Sequence, residues 1–344
     1  MKQNPASLIP ERPQTLPDLS KSSLLFACVL GLFVSPATAA TDAAVQLSRQ
    51  SDRIRIEIGG KLFSEYLFFS GSKPCLYPIL DADGTSYTRD WPLREDTDEA
   101  RDHDWHRSVW FGHGRVNDHD LWRVRPDRHT GTIQHDGVLE TRDGPVGLLR
   151  VRHRWQAADG TTLCTDETTI RIRRVAEGTF LDHEIVIKAS HGPLVLGDTE
   201  EGVLAVRVNE AIRVLHGEGG ERRAGTGRIL NANGDRDRDA WGKRAPWCDY
   251  SGTLPDGRVI GIAIFDHPGN PSHPTWWHVR EYGLFAANPF GKQDFEKLKN
   301  QPDAGNIRVP AGGELVLRHR IFFHRGDEKA ARVAEHYRAY AAGQ

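Results

Sequence analysis

The sequence predicts an all-β protein, a large antiparallel β-sandwich closed by one C-terminal helix. Three observations carry this: apolar residues recur at every second position through most of the chain, Asp-Gly pairs punctuate those runs, and a helical spacing emerges only near the end. A strand with one buried and one wet face reads as such alternation, and antiparallel sheets produce it most cleanly.

In chain order, the first forty residues stand apart. Lys21 precedes an apolar run from Ser23 to Val34, then Pro36 and Ala37-Thr38-Ala39-Ala40, which is the pattern of a secretory signal cleaved after Ala39 or Ala40, here behind a polar N-terminal extension. The run is shorter than the roughly 20 residues a spanning helix needs. The expected division is 1–40 as signal with extension and 41–344 as a single β-sandwich domain, because no Pro- or Ser-rich linker divides the remainder. Periplasmic or secreted localisation follows. That remainder keeps Cys75, Cys164 and Cys248, so at most one internal disulfide can form, and the sequence does not choose the pair.

Strands are read where Ile54, Ile56 and Ile58 alternate with Arg53, Arg55 and Glu57. The same holds where Leu149, Val151, His153 and Trp155 alternate with arginines, at Ile170 and Ile172, and from Leu315 to Phe323. Asp83-Gly84, Asp143-Gly144, Asp159-Gly160 and Asp256-Gly257 supply turns. From Asp327 to Ala341, Ala330, Val333, Ala334, Tyr337 and Tyr340 form one helical stripe suited to capping the sandwich.

Net charge is −2 with acids and bases mixed throughout, so nucleic acid and anionic membrane are poor partners, and a small carbohydrate is the expected one. The reason lies in residues 101–122, which gather His103, His106, His113 and His119 among carboxylates and the aromatics Trp105, Trp110, Phe111 and Trp122. Imidazole titrates near neutrality and is the commonest metal ligand, whereas a β-rich core has no use for this composition. Two further segments mix aromatics with polar groups, Trp241 to Tyr250 and Phe265 to Phe290. Rings that take C–H faces beside forked polar side chains are how proteins hold sugars, and nine tryptophans against one methionine fit that use.

The expected catalytic set is His103, His106, His113 and His278 for proton transfer, with Arg107, Arg280 and Lys243 to stabilise developing negative charge. The expected substrate-binding set is Trp110, Asn117, Trp122, Trp241, Arg244, Asp249, Tyr250, Trp277, Tyr282 and Asn288. No cofactor is evident, although His103 and His106, three apart, leave room for a divalent metal with His113 or an aspartate. Asp235, Asp237 and Asp239 miss the calcium-loop pattern at Ala240 and Pro246 and read as a charged turn. There is no GxSxG elbow, P-loop or dinucleotide fingerprint.

The runs YLFFSGSKPCLYPILDADGTSYTRDWP, HDWHRSVWFGHGRVNDHDLW, WGKRAPWCDYSG and GIAIFDHPGNPSHPTWWHVREYGLFAANPFG resemble a bacterial family labelled PmoA-like or methane oxygenase, otherwise of unknown function, over nearly the whole mature chain. A membrane oxygenase subunit needs apolar segments near 20 residues, which the chain beyond residue 40 lacks. The resemblance therefore implies a secreted all-β domain in the style of sugar epimerases and polysaccharide lyases, a companion of sugar oxidoreductases in carbohydrate breakdown. Asp104-Trp105 stand between His103 and His106 where family members carry a more His-rich run, which weakens a three-His metal site. Three function classes stay open: an exported carbohydrate-active enzyme (lyase, epimerase or hydrolase), a non-catalytic sugar-binding protein, and a mononuclear metal oxygenase or hydrolase.

Overall fold

A computed structural model describes residues 44–125, 130–217 and 221–343; the expected signal segment lies outside the described residues. Two eight-stranded sheets face each other. The first runs, in spatial order, Val45–Arg49, Arg53–Ile58, Lys61–Leu67, Cys75–Leu76, Val109–His113, Gly202–Arg207, Leu284–Asn288 and Trp276–Val279. The second runs Arg228–Asn231, Trp247–Thr253, Val259–Asp266, Glu314–Arg325, Gly178–Lys188, Thr162–Val175, Gly147–Gln156 and Thr132–Arg142. Every neighbouring pair within both sheets is antiparallel, as the alternation requires.

Alternation decides what each face does. Ile54, Ile56, Leu204, Val206, Trp277, Val279 and Phe285 turn inward from the first sheet and meet Leu149, Val151, Ile170, Ile172, Ile262, Ile264, Ile321 and Phe323 of the second. The residues between them face outward. On the second sheet Phe180, Ala263, Phe265 and Phe322 pack with Ala331, Val333 and Tyr340 of the C-terminal segment. The helix itself spans only Val333–Ala341: residues 327–332 form a turn in which Asp327 accepts from the backbone N–H groups of Lys329 and Ala330, and Arg332 adopts φ 55°. A second short helix, Lys292–Glu296, has too few apolar positions for the sequence pattern to reveal.

The outer face of the first sheet positions the site. Its register aligns Cys75 with Trp110, Trp110 with Ala205, Ala205 with Ala286, and Ala286 with His278 in one row. The two alanines leave a depression over which the irregular segments 100–108 and 114–125 lie, with Trp105 and Trp122 joining Trp110 around Ala205, Ala286 and Leu284. Cys75, Cys164 and Cys248 are all free and buried, so no disulfide joins the described residues.

Candidate active site

Two buried arginines organise the histidine-rich loop. Arg89, from the irregular chain before it, donates to the carbonyls of Ala100, Asp102, His103 and His106 and to Asp102 Oδ1 at 2.6 Å. Arg207, at the end of an otherwise apolar strand, donates to Asp102 Oδ1 at 2.7 Å and Oδ2 at 2.9 Å, and to His106 Nδ1 at 3.3 Å. Burial alone raises the Asp102 carboxyl, but the His103 hydrogen bond and the two guanidiniums prevail and hold it well below the usual carboxylate range. Asp102 is therefore an anion, and His103 Nδ1 donates to its Oδ2 at 2.9 Å. His103 adopts φ 48°, an uncommon conformation outside glycine that the Arg89 clamp maintains.

His103 is the one member of the expected proton-moving set with an open side. Its side chain is 36% exposed and its Nε2 has no hydrogen-bond partner among the described residues. The ring stacks on Tyr282 with centroids 5.0 Å apart and planes at 5°, while the Arg207 guanidinium lies 4.9 Å from the Tyr282 centroid. Tyr282 belongs to the tight turn 280–283 joining Trp276–Val279 to Leu284–Asn288, closed by Gly283 N–H to the Arg280 carbonyl and made possible by φ 101° at Gly283. Tyr250 supports that turn, donating its hydroxyl to the Glu281 carbonyl at 3.0 Å. Burial pushes the Tyr282 phenol up to about 12, so it remains a proton donor at neutral pH.

These groups open on a cleft of about 560 Å³ lined by Asp102, His103, Arg213, Trp241, Arg280 and Tyr282, among others. It adjoins a second hollow of about 410 Å³ bounded by Lys243, Phe295 and Lys297, with Arg238, Trp241 and Arg280 common to both. Arg280 lies 4.6 Å from the Trp241 ring centroid and donates to Glu200 Oε2 at 3.2 Å. Of the three segments singled out in the sequence, the cleft thus brings together His103, Trp241, Lys243, Arg280 and Tyr282.

The other expected residues are engaged elsewhere. His106 is buried beneath His103, its ring 4.8 Å away; burial, with Arg207, His103 and Arg89 adding, pushes its pKa far down. His278 donates from Nδ1 to the Glu200 carbonyl and accepts at Nε2 from Arg280 Nε at 3.3 Å; burial and then Arg280 lower it to about 3, so it orients Arg280 and carries no proton to a substrate. His113, lowered to about 4 by burial, donates from Nε2 to Gly197 O at 3.0 Å and packs on Phe290. Arg107 packs its guanidinium over Gly71, where a Cβ would lie 2.7 Å from Nη2, and is not part of the cleft wall.

Trp110, Trp122 and Trp277 are buried and offer no ring face to a ligand; Trp277 donates to Ala245 O at 2.9 Å. Asp249 accepts from His324 at 2.7 Å in the core, and Asn288 donates to the Thr199 and Glu200 carbonyls. Asn117 ties Val195 N–H and Pro193 O, and Arg244 donates to Pro274 O over the Trp276 ring. Each of these side chains is packed in the interior or bonded to other protein groups. Asp235 and Asp237 likewise accept from Asn231 and from the Ile229 backbone. No group of three or more His, Cys, Asp or Glu among the described residues is arranged to hold a metal ion.

Sequence reasoning did not find Arg89, Arg207, Arg213, Arg222 or Arg238. The signal for Arg207 was an arginine ending the apolar run GVLAV, since such a cation is rarely buried without a carboxylate to meet it. His153 lies in the core: Nδ1 bonds Asp166 at 2.8 Å and Nε2 meets the Tyr66 hydroxyl at 2.6 Å. His183 is buried against Phe111.

Residues 53–338 match a family of unknown function, DUF6807. The chain belongs to that family. No curated protein matches it. Among solved structures it is similar to the GH36 alpha-galactosidase AgaB from Geobacillus stearothermophilus, at 10% identity over 82% of this chain and 41% of that one, with TM-score 0.40. It is also similar to a 4-alpha-glucanotransferase from Thermococcus litoralis, at 10% identity over 81% and 39% of the two chains, with TM-score 0.31. A galactose mutarotase-like protein from Lactobacillus casei matches at 10% identity over 81% of this chain and all of its own, with TM-score 0.35. The chain spans about two fifths of the length of the first two.

Proposed function

We propose that this protein is an exported carbohydrate-active enzyme that moves a proton on a sugar, glycoside or oxidised sugar through His103. The observation that carries the reading is the Asp102–His103 pair at the cleft: a carboxylate kept anionic by two arginines fixes the proton of His103 on Nδ1 and leaves Nε2 unpartnered on the open side. That is a positioned base with its orienting group, the arrangement in which an imidazole takes a proton and the carboxylate stabilises the imidazolium that forms. Tyr282 stacks on the same ring and stays protonated, so it donates to a departing or shifting oxygen. Arg280, held by Glu200 and His278, offers fixed positive charge to a developing oxyanion, and Trp241 forms the wall beside it. Elimination, epimerisation and hydrolysis all draw on this set. We also propose that this family is the one that the PmoA-like label denotes; the dyad and the cleft, rather than that label, support acid/base chemistry.

The test is a screen of protein lacking residues 1–40 against glycosides and 3-keto-glycosides with NMR detection of products. His103→Ala should lower turnover by about two to four powers of ten, the scale of lost acid/base catalysis, with a loss of stability of about 1 kcal/mol or less. Full turnover in that variant refutes the assignment. Binding without turnover by the parent protein leaves the non-catalytic sugar-binding reading. Export is tested separately: N-terminal sequencing of protein from the extracytoplasmic fraction should begin at Ala40 or Thr41, and full-length cytoplasmic protein refutes it.

A further inference from the structure

The cleft wall carries more positive charge than its own structure uses. Arg222, Arg238, Lys243 and Lys297 line the two hollows, and none forms an ion pair or side-chain hydrogen bond with a described residue. Arg280 adds a further cation, shared with Glu200 across 3.2 Å. On the other side of the balance, Asp102 is already matched by Arg89 and Arg207, and only Glu281 and Asp239 are cleft carboxylates without a partner. A chain whose net charge is −2 thus gathers a local positive field on one concave wall. Clefts that concentrate one sign of charge raise the local concentration of the opposite one.

The placement of these cations is as informative as their number. Arg222 belongs to the hollow at the Asp102–His103 pair, Lys243 and Lys297 to the other, and Arg238 sits with Trp241 and Arg280 where the two join. Volumes of about 560 and 410 Å³ each fall within the range of a whole ligand pocket, roughly 300–1,000 Å³. A single neutral monosaccharide would use one hollow and none of the distal cations. A chain of sugars with anionic groups at intervals would use both, laying successive carboxylates against the two ends and the waist.

We infer that the cleft takes an acidic oligosaccharide, a run of uronic acid residues, with Arg280 and Arg238 at the reacting residue and Lys243 and Lys297 receiving the carboxylates further along. The inference rests on the reading that this cleft holds a saccharide. Glu281 and Asp239 on the same wall disfavour the closely spaced phosphates of nucleic acid, which would press a charge against each of them.

The experiment is calorimetric titration of protein lacking residues 1–40 with short oligomers of galacturonate, mannuronate, guluronate and a glucuronate-containing chain, each beside its methyl-esterified counterpart of equal length. Esterification removes the charge and keeps the sugar. At least one acid form should bind about tenfold or more tightly than its ester, and that preference should shrink as salt rises. The double variant Arg238→Ala/Lys297→Ala should lose most of the preference while keeping the parent's thermal unfolding, since both side chains are exposed. Equal binding of every acid and its ester overturns the inference, as does equally tight binding of single-stranded DNA of matched charge. Failure of the two readings separates cleanly: acid-selective binding without turnover removes the enzyme reading alone, whereas turnover of a neutral sugar with no acid-selective binding removes this inference alone.

Discussion

Removing the charge of Asp102 should loosen the whole histidine loop, and the structure sets the scale. The carboxylate accepts from three donors: Arg89 at 2.6 Å, Arg207 at 2.7 and 2.9 Å, and His103 at 2.9 Å. Hydrogen bonds to charged groups contribute about 1.5–3 kcal/mol each, which bounds the loss from above because the terms overlap. Both guanidiniums are fully buried, so Asp102→Asn strands two positive charges, and breaking a buried pair from one side costs about 3–5 kcal/mol. Arg89 retains four carbonyl acceptors and Arg207 retains His106, which keeps the expected loss near that range rather than above it. Urea denaturation at neutral pH should therefore show a loss of about 3–5 kcal/mol for Asp102→Asn, against about 1 kcal/mol or less for His103→Ala, whose ring is partly exposed. The sign with pH is also set. A carboxyl whose folded pKa is depressed contributes fully above its unfolded value, about 3.9, and progressively less as pH falls below it, so the gap between parent and Asp102→Asn should narrow in acid. A neutral-pH difference under about 1 kcal/mol would mean that the arginines do not depend on this carboxylate, and the positioned-base argument would lose its foundation.

Two further outcomes follow from buried groups. Burial, reinforced by Arg107, lowers the Lys73 ammonium to about 7 where it donates to Trp122 O and Ser72 Oγ, so the folded state releases this proton well before the unfolded chain does. Stability should rise with pH between about 7 and 10.4 by up to about 1.4 kcal/mol per pH unit, and Lys73→Met should remove that rise; a parent-minus-variant difference that stays constant across the window, measured by thermal melts, contradicts it. Burial also raises the thiol of Cys75 to about 11 and those of Cys164 and Cys248 further, so native protein lacking residues 1–40 should not react with an aromatic disulfide at neutral pH, while denatured protein should release one equivalent for each of the three. Rapid reaction of the native protein would place a thiol at the surface.

The alternation that predicted the sandwich also contained information about the site that composition obscured. Within Trp276-Trp277-His278-Val279, period two puts Trp277 and Val279 on one face and His278 on the other; the structure buries the first pair between the sheets and sets His278 on the outer face beside Ala286. Within Val109–His113 the same rule puts Trp110 with Ala205 on the outer face and Val109 and Phe111 inward. Read as strands, these segments already said that their aromatics serve packing. Read as a pool of sugar-binding residue types, they suggested a platform. Local spacing was less help at His103 and His106, because neither belongs to a strand and the choice between them depends on Arg89 and Arg207, which reach the loop from elsewhere in the chain.

The same dependence explains why the histidines divide so sharply. An imidazole held by two hydrogen bonds in a packed setting serves as a fixed part: His278 between the Glu200 carbonyl and Arg280 is one, and His153 between Asp166 and Tyr66, with Trp155 and Thr168 also donating to that carboxylate, is another. Both Asp–His pairs have the same local chemistry. What separates Asp166–His153 from Asp102–His103 is the far nitrogen, which in the first meets Tyr66 between the sheets and in the second remains unpartnered on a cleft wall rich in cations. The reactivity proposed for His103 rests on what the fold leaves unfinished around its side chain, and that is set by sheet register and by which surface the loop covers. Residue type and spacing bring a histidine to notice; only the completed set of partners shows whether it has a proton to move.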